Sequence, residues 1–147
     1  MLYLYEIEIF KDDDCYIAVP FDFEGATEGF SKQECLEMAA DLLTSEIQHR
    51  LMHRDNLPEP TIDNSPQYEG KIYSLAIDTG IGAIPRMLKS EAARTLGISQ
   101  GRVTQLVKSG KLETFSYQGR EYVTKASVDA RKEYNDFGSQ DEPSEKE

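Results

Sequence analysis

Two short helical patterns, each closed by a glycine, occupy the last third of this 147-residue chain. The first pattern ends at Gly97 and the second at Gly110. Glycine is the residue that most readily adopts the left-handed conformation found at helix C-termini. Ser90 and Ser99 precede the two patterns, and serine is a favoured N-cap. The sequence therefore predicts a first helix capped by Ser90 and ending near Leu96, and a second helix over residues 100–109.

The second predicted helix has one apolar face and one polar face. Val103, Leu106 and Val107 recur at helical spacing, so we expect them to face inward. The side chains expected in solvent are Gln100, Arg102, Thr104, Gln105 and Lys108. Side chains of these types bond to base edges and to phosphates, which makes this face a candidate DNA-binding surface.

A β-hairpin is predicted to follow the second helix. Residues 111–123 alternate around Gln118-Gly119, a pair of residues suited to a tight turn. Lys111 and Arg120 place two cations on this hairpin. A hairpin of this kind can bind phosphates beside the polar helix.

The order of these motifs resembles the DNA-binding domains of the MerR and excisionase families. The matching residues are Glu91-Ala92-Ala93, then Leu96-Gly97-Ile98-Ser99, then Val103-x-x-Leu106-Val107-x-x-Gly110-x-Leu112, and then the hairpin. The resemblance covers residues 87–134 and implies a small winged helix-turn-helix domain. Such domains place the second helix in the major groove. A packing or partner-binding role for the same pattern is less favoured, since a protein-docking helix uses apolar anchors.

The net charge of −11 is distributed unevenly along the chain. Residues 1–85 carry 5 Lys and Arg against 17 Asp and Glu, a balance of −12. Residues 86–134 carry 10 against 5, a balance of +5, and residues 135–147 carry 1 against 5, a balance of −4. This asymmetry predicts nucleic acid as partner of the basic region and a cationic protein as partner of the acidic region. Ordinary solubility charge is the alternative explanation.

Cysteine use and hydropathy indicate a soluble cytoplasmic protein. Cys15 and Cys35 are the only cysteines, and no Cys-x-x-Cys spacing occurs. The sequence contains neither a basic-then-apolar leader nor an apolar run of about 20 residues. We expect neither a metal nor a cofactor, and we expect the acidic residues 135–147 to be a disordered tail.

The first half of the chain reads as an α+β domain. Strands are predicted at 1–10, 15–20, 26–30 and 68–77, with a long helix that begins after the capping box Ser31–Glu34 and ends near Arg54. In the first strand, Tyr3, Tyr5, Ile7 and Ile9 are expected to face the core, with Leu2, Leu4, Glu6 and Glu8 on the opposite face. A proline-containing connector is expected over residues 56–66, and residues 80–86 are expected to link domain 1–79 to domain 87–134.

This first domain resembles the HicB antitoxin family. The matching residues are the Tyr-rich first strand, Tyr16-Ile17-Ala18-Val19-Pro20 with the acidic loop after it, Ala26-Thr27-Glu28-Gly29, Ser31, and Leu57-Pro58-Glu59-Pro60. The resemblance covers residues 1–79 and implies a partially degraded RNase H-like fold. It also implies that the domain binds and blocks a HicA-like mRNA-cleaving toxin, while the second domain represses the protein's own operon.

The acidic residues expected to contact the basic groove of such a toxin are Asp12, Asp13, Asp14, Asp22 and Glu24. No enzymatic activity is expected. The second domain lacks the long coiled coil through which MerR regulators dimerise. A homodimer or higher homo-oligomer is therefore expected to form through the sheet or helix of the first domain.

Three other functions are less favoured by the same residues. The first is a transcriptional regulator whose N-terminal domain senses a small ligand. The second is an active RNase H-like nuclease, which needs several carboxylates converging on two metal ions. The third is metal binding, either by His49 and His53 at i, i+4 or by Asp12–Asp14. A third ligand for the histidines is not evident in the sequence, and the aspartate run lacks the glycine and distal glutamate of a calcium loop.

Overall fold

The computed structural model describes residues 1–137, and the chain divides into two compact units. The first unit is Met1–Ile81, and the second begins at Gly82. Both combine helices with antiparallel strands, so the α+β class predicted from the sequence is confirmed at that level. No helix in the described part of the chain is long and apolar enough to cross a membrane.

The first unit contains a four-stranded antiparallel sheet with the order β3-β2-β1-β4. The strands are β1 (Leu2–Asp12), β2 (Cys15–Pro20), β3 (Thr27–Gly29) and β4 (Lys71–Asp78). β1 pairs with β2 through a tight turn, with Asp12 opposite Cys15, and it pairs along its other edge with β4, with Ile7 opposite Tyr73. The four predicted strands are therefore present, and β3 is shorter than residues 26–30.

A single long helix, α1 (Lys32–Met52), packs against one face of this sheet. The Ser31 side chain accepts a hydrogen bond from the Glu34 N–H, as the sequence predicts, and Glu34 reaches back to the Phe30 N–H. The buried core consists of alternate residues of β1 together with one stripe of the helix. It includes Tyr5, Ile7, Ile9, Ala18, Cys35, Ala39, Leu43, Ile47 and Ile77.

The opposite face of β1 differs from a solvated face. Glu6 and Glu8 alternate with the core residues, yet their side chains are 8% and 1% exposed. The 18 residues between Met52 and Lys71 form no helix or strand, and part of this connector lies over the two carboxylates. Leu2 and Leu4, on the same face, remain exposed.

Each of the two carboxylates accepts backbone hydrogen bonds from the connector. Glu8 accepts from the N–H groups of Gln67, Tyr68 and Gly70 at 2.7 to 2.9 Å. Glu6 accepts from the Asp63 and Asn64 N–H groups, both at 3.0 Å, and from the Asn64 side chain. These bonds satisfy backbone donors that no helix or sheet satisfies, so the carboxylates fix the path of the connector.

Over residues 82–137, the second unit consists of three α-helices and a three-stranded sheet of order β5-β7-β6. Its elements are β5 (Arg86–Met87), α2 (Lys89–Leu96), α3 (Gln100–Lys108), β6 (Thr114–Tyr117), β7 (Arg120–Thr124) and α4 (Lys125–Phe137). The apolar sides of the helices meet the sheet in one core. That core contains Ala92, Ala93, Val103, Leu106, Leu112, Val123 and Val128.

The caps of α2 and α3 are largely as predicted. Ser99 caps α3 by accepting from the Arg102 N–H at 3.0 Å. Gly97 has φ 68°, and the Ile98 N–H donates to the Ala93 carbonyl at 3.0 Å, which forms a Schellman C-cap. The same arrangement recurs at Gly110, where φ is 79° and the Lys111 N–H donates to the Leu106 carbonyl.

The predicted N-cap of α2 is wrong. Ser90 lies inside the helix, and the capping position belongs to Leu88 with an extended backbone. The Leu88 N–H donates to the Glu91 carboxylate at 3.1 Å. Because the acidic side chain satisfies this donor, the helix begins before the serine.

Two elements of the second unit were not predicted. β5 begins at Arg86, the last residue of the predicted linker 80–86. It pairs with β7, with Met87 opposite Val123. α4 extends to Phe137 and includes the first three residues of the predicted tail. The remainder of that tail, residues 138–147, lies outside the described residues.

Candidate nucleic-acid interface and acidic surfaces

The outer face of α3 carries the polar side chains expected there. Gln100, Gln105 and Lys108 are exposed, while Arg102 and Thr104 are half-buried. The inward side chains Val103 and Leu106 are fully buried, so the rotation of the helix about its axis is fixed. α3 has nine residues and is about 14 Å long. The major groove of B-DNA is wide enough to admit an α-helix.

Three of the predicted base-reading side chains, Arg102, Gln105 and Thr104, already form intramolecular hydrogen bonds. The Arg102 guanidinium donates to the Gln105 side-chain oxygen at 3.2 Å. The Thr104 hydroxyl donates to the Gln100 carbonyl at 3.2 Å. The first contact holds the guanidinium and the amide side by side on the exposed face. The second turns the threonine hydroxyl towards its own helix, which makes Thr104 a weaker candidate than Gln105.

The hairpin of β6 and β7 presents Arg120 next to its tip. Gln118 and Gly119 both have positive φ, at 50° and 77°, which is characteristic of a two-residue type I′ turn. Tyr117 and Arg120 face each other across this turn, and Arg120 is exposed. Lys111 is exposed at the C-terminal end of α3. The two predicted phosphate-binding cations therefore lie at the surface.

Other cations of this unit serve its own structure. The Arg86 guanidinium lies over the rings of Tyr117 and Tyr122, with 4.6 and 5.0 Å to the ring centroids, and donates to the Gly82 carbonyl. Lys89 pairs with Glu121 at 2.7 Å. Arg86 attaches β5 to the hairpin, a role that the sequence did not indicate because the aromatic partners are about 30 residues away.

The acidic residues predicted to bind a toxin fall into two groups. Asp12, Asp13 and Asp14 lie at the turn between β1 and β2, whereas Asp22 and Glu24 follow the far end of β2. β2 has six residues, so roughly 20 Å separates the groups along the strand. The expected single cluster is thus two surfaces at opposite ends of the sheet.

Asp22 also has a structural partner. Its carboxylate accepts from the Thr61 N–H at 3.1 Å and from the Thr61 hydroxyl at 2.8 Å. A cavity of about 400 Å³ beside it is lined by Asp22, Glu24, Glu46 and Arg50, together with two phenylalanines. Glu24 is exposed at this cavity and is the better candidate for a contact with a partner.

The two carboxylates of β1 are electrostatically distinct from these loop residues. Hydrogen bonds from the Asn64 backbone and side chain lower the pKa of Glu6. For Glu8, burial acts to raise the pKa, but the bonds from Gln67, Gly70 and Tyr68 outweigh it, so the net pKa is lowered. Glu6 and Glu8 therefore hold the backbone of the connector. The alternating pattern of β1 placed them on one face of the strand but did not predict these hydrogen bonds.

The histidine pair lies at the end of α1. The rings of His49 and His53 lie 4.4 Å apart between centroids and are tilted by 59° to each other. Arg50, between them in sequence, donates to the Asn56 carbonyl at 3.2 Å and lies over the Phe23 ring. The C-terminal turn of the helix is therefore cationic, which suits the helix dipole.

Comparison with known proteins gives no match: neither a protein-family model, nor a curated protein, nor a solved structure corresponds to this chain.

Proposed function

We propose that this chain is the antitoxin of a type II toxin–antitoxin system. In this proposal, the first unit neutralises a HicA-like mRNA-cleaving toxin, and the second represses the operon that encodes both proteins. The second unit is proposed to act as a winged helix-turn-helix domain. The chain itself performs no chemistry, and it works in the cytoplasm as a homodimer or higher homo-oligomer.

The exposed face of α3 is the observation that carries the proposal. Gln100, Arg102, Gln105 and Lys108 lie on this face, opposite fully buried Val103 and Leu106. Arginine and glutamine are the side chains that make bidentate contacts with guanine and adenine in the major groove. Arg120 on the hairpin and Lys111 after α3 are exposed cations of the same unit, which supports a role in phosphate binding.

Charge supports the assignment of separate partners to the two units. The second unit is basic through residue 134 despite the acidity of the whole chain. The first unit has the opposite sign, with a balance of −12 over residues 1–85. An mRNA-cleaving toxin needs a basic surface for phosphates, and an acidic protein can occupy that surface by complementary charge.

Co-expression tests both halves of the proposal. The chain, tagged, is produced together with the product of the small reading frame that adjoins its gene, and growth is followed with each gene alone and with both. We expect growth arrest by the neighbour alone, rescue by this chain, and a purified complex. An inert neighbour that forms no complex would contradict the antitoxin function.

Charge reversal then locates the toxin surface. Asp13→Lys with Asp14→Lys alters the turn end of the sheet, and Glu24→Lys alters the other end. Glu24 is preferred to Asp22 because Asp22 also holds Thr61. Glu37→Lys on the exposed side of α1 is the matched control for Glu24→Lys, and Glu37→Lys with Asp41→Lys is the matched control for the double variant. Loss of rescue by one of the first two variants, with rescue retained in the control, identifies the end that binds.

A further inference from the structure

A cavity of about 480 Å³ opens at the turn end of the first unit, on the helix side of the sheet. Lys11 and Tyr16 are paired across β1 and β2, and Lys71 and Tyr73 come from the first half of β4. Lys32 is contributed by the first turn of α1. Phe10, Ile9, Glu69 and Gly70 complete the lining. The cavity thus combines residues from three strands and a helix.

The three lysines are unusual for this unit. Residues 1–81 contain 5 Lys and Arg against 17 Asp and Glu, yet three of the five cations meet at one cavity. Within residues 1–137, the ammonium groups of Lys11, Lys32 and Lys71 form no ion pair with a carboxylate. Three like charges without a carboxylate partner, against the single carboxylate of Glu69 in the lining, favour an anionic ligand.

Aromatic surface lies beside these charges. Tyr16 and Tyr73 are half-buried, and the Lys11 ammonium is 6.0 Å from the centroid of the Tyr16 ring. Phe10 also lines the cavity, but its ring is already stacked on Tyr68 at 4.7 Å between centroids, so the two tyrosines are the rings considered for a ligand. Flat rings of this kind pack against planar heterocycles, and base stacking on aromatic side chains is a common mode of recognition.

The rim that carries Lys71 is fixed by buried groups. Glu8 accepts from the Tyr68 and Gly70 N–H groups on either side of Glu69, whose φ is 58°. Gly70 passes so close to the Ile9 carbonyl that a Cβ at this position would overlap it. Lys71 therefore follows a turn whose backbone is fixed by the Glu8 carboxylate and by packing against Ile9, so this rim of the cavity is preformed.

We propose that this cavity binds a nucleoside monophosphate, with the phosphate among Lys11, Lys32 and Lys71 and the base against the tyrosine rings. The volume lies within the range of small-molecule sites. A single nucleotide fits better than a polynucleotide, because a domain with a balance of −12 repels a long phosphate backbone. This ligand site is independent of the antitoxin proposal, since it uses none of the acidic residues assigned to the toxin.

Isothermal titration of the full chain at low salt tests the site. The probes are AMP, GMP, CMP and UMP, with adenosine, ribose 5-phosphate and inorganic phosphate as partial ligands. We expect at least one nucleotide to bind more tightly than all three partial ligands, because only the nucleotide engages both the lysines and the rings. Lys71→Glu should weaken that binding by about tenfold or more.

Two further variants make the result decisive. Lys132→Glu, an equal charge change on α4 in the second unit, should leave the affinity unchanged. Tyr73→Leu should weaken nucleotide binding while leaving phosphate binding unchanged, and circular dichroism confirms that each variant is folded. The proposal is overturned if no nucleotide binds, if inorganic phosphate binds as tightly as the nucleotides, or if Lys71→Glu and Lys132→Glu have equal effects.

Discussion

The charged side chains of the two units are used in different ways. In the first unit, Glu6, Glu8 and Asp22 accept hydrogen bonds from the connector between α1 and β4. In the second unit, Gln105 and Lys108 of α3 and Arg120 beside the hairpin tip are exposed at the surface. Net charge therefore overstates the acidic surface of the first unit, because part of that charge is occupied by the protein's own backbone.

Buried charges must therefore be separated from exposed charges before the net charge of a unit is used to predict its binding partner. Glu8 is 1% exposed, whereas Glu24 and Arg120 are exposed. A buried carboxylate with three N–H donors stabilises the fold, and an exposed charge is available for binding. The experiments below separate the two uses.

The largest effect is expected for Glu8→Gln. The amide has one acceptor oxygen, and its NH₂ group would face N–H donors, so at least one backbone donor loses its partner. The free energy of unfolding of the first unit should fall by about 3 kcal/mol. Urea denaturation measures this, and amide hydrogen exchange at Tyr68 and Gly70 should accelerate. Glu37→Gln, on the exposed side of α1, should change stability by less than about 0.5 kcal/mol.

Arg102→Ala tests whether the charged side chains on the outer face of α3 bind DNA. We expect it to weaken binding to the DNA upstream of the chain's own gene by ~1 to 3 kcal/mol and to relax the preference at one base pair. Gel-shift titration with single-base variants of the site measures both quantities. Lys132→Ala on α4 is the control, and equal affinities for the two variants would remove Arg102 from the base-reading set.

Acidification should affect the first unit by less than Glu8→Gln, because both oxygens of a protonated carboxyl still have lone pairs, whereas the glutamine amide keeps one acceptor oxygen and places an NH₂ group against the N–H donors. The pKa values of Glu6 and Glu8 are lowered in the folded state. Their contribution to stability is complete above the unfolded-state pKa of about 4.3 and is lost as the pH falls through the lower folded values. Urea midpoints between pH 6 and pH 3 should show this decline. A double variant with both residues changed to Gln should show a flatter profile, and an equally steep one would assign the decline to other groups.

The smallest effect is expected for Arg120→Ala. A phosphate contact is insensitive to sequence, so the loss of affinity should be the same for specific and unrelated DNA. The slope of log K against log salt should become flatter by about one unit. Lys132→Ala should leave the slope unchanged, and if Arg120→Ala does the same, the hairpin does not contact phosphate.

Much of the fold could be predicted because its signals are local. Strand β2 coincides with the predicted residues, and the Ser99 cap and the hairpin turn at Gln118-Gly119 are present. β5 was not predictable in the same way, since a two-residue strand exists only through pairing with β7. α4 was missed because few apolar residues mark its inner face, and Arg131 is one of the residues buried there.

The candidate sites also differ in whether local sequence signals reveal them. The outer face of α3 follows from helical periodicity, so the sequence identified it residue by residue. The lysine-lined cavity was not identifiable, because Lys11, Lys32 and Lys71 come from three elements and meet only in the folded unit. The acidic residues predicted to bind a toxin are close in sequence but not in space. They were expected to form one cluster, and β2 separates them into two groups.

The attachment of the connector has a consequence for how this protein can evolve. Glu6 and Glu8 bind mainly backbone N–H groups, so they fix the path of the chain while leaving most side chains along it unconstrained. Most substitutions between residues 63 and 69 therefore preserve the attachment. The exceptions are proline at a donor position, because it lacks the N–H, Asn64, whose side chain also bonds Glu6, and Gly70, where a Cβ would overlap the Ile9 carbonyl. Exposed side chains such as Tyr68 can diversify without loss of the underlying scaffold. The connector is thus a surface on which new specificities can arise at little structural cost.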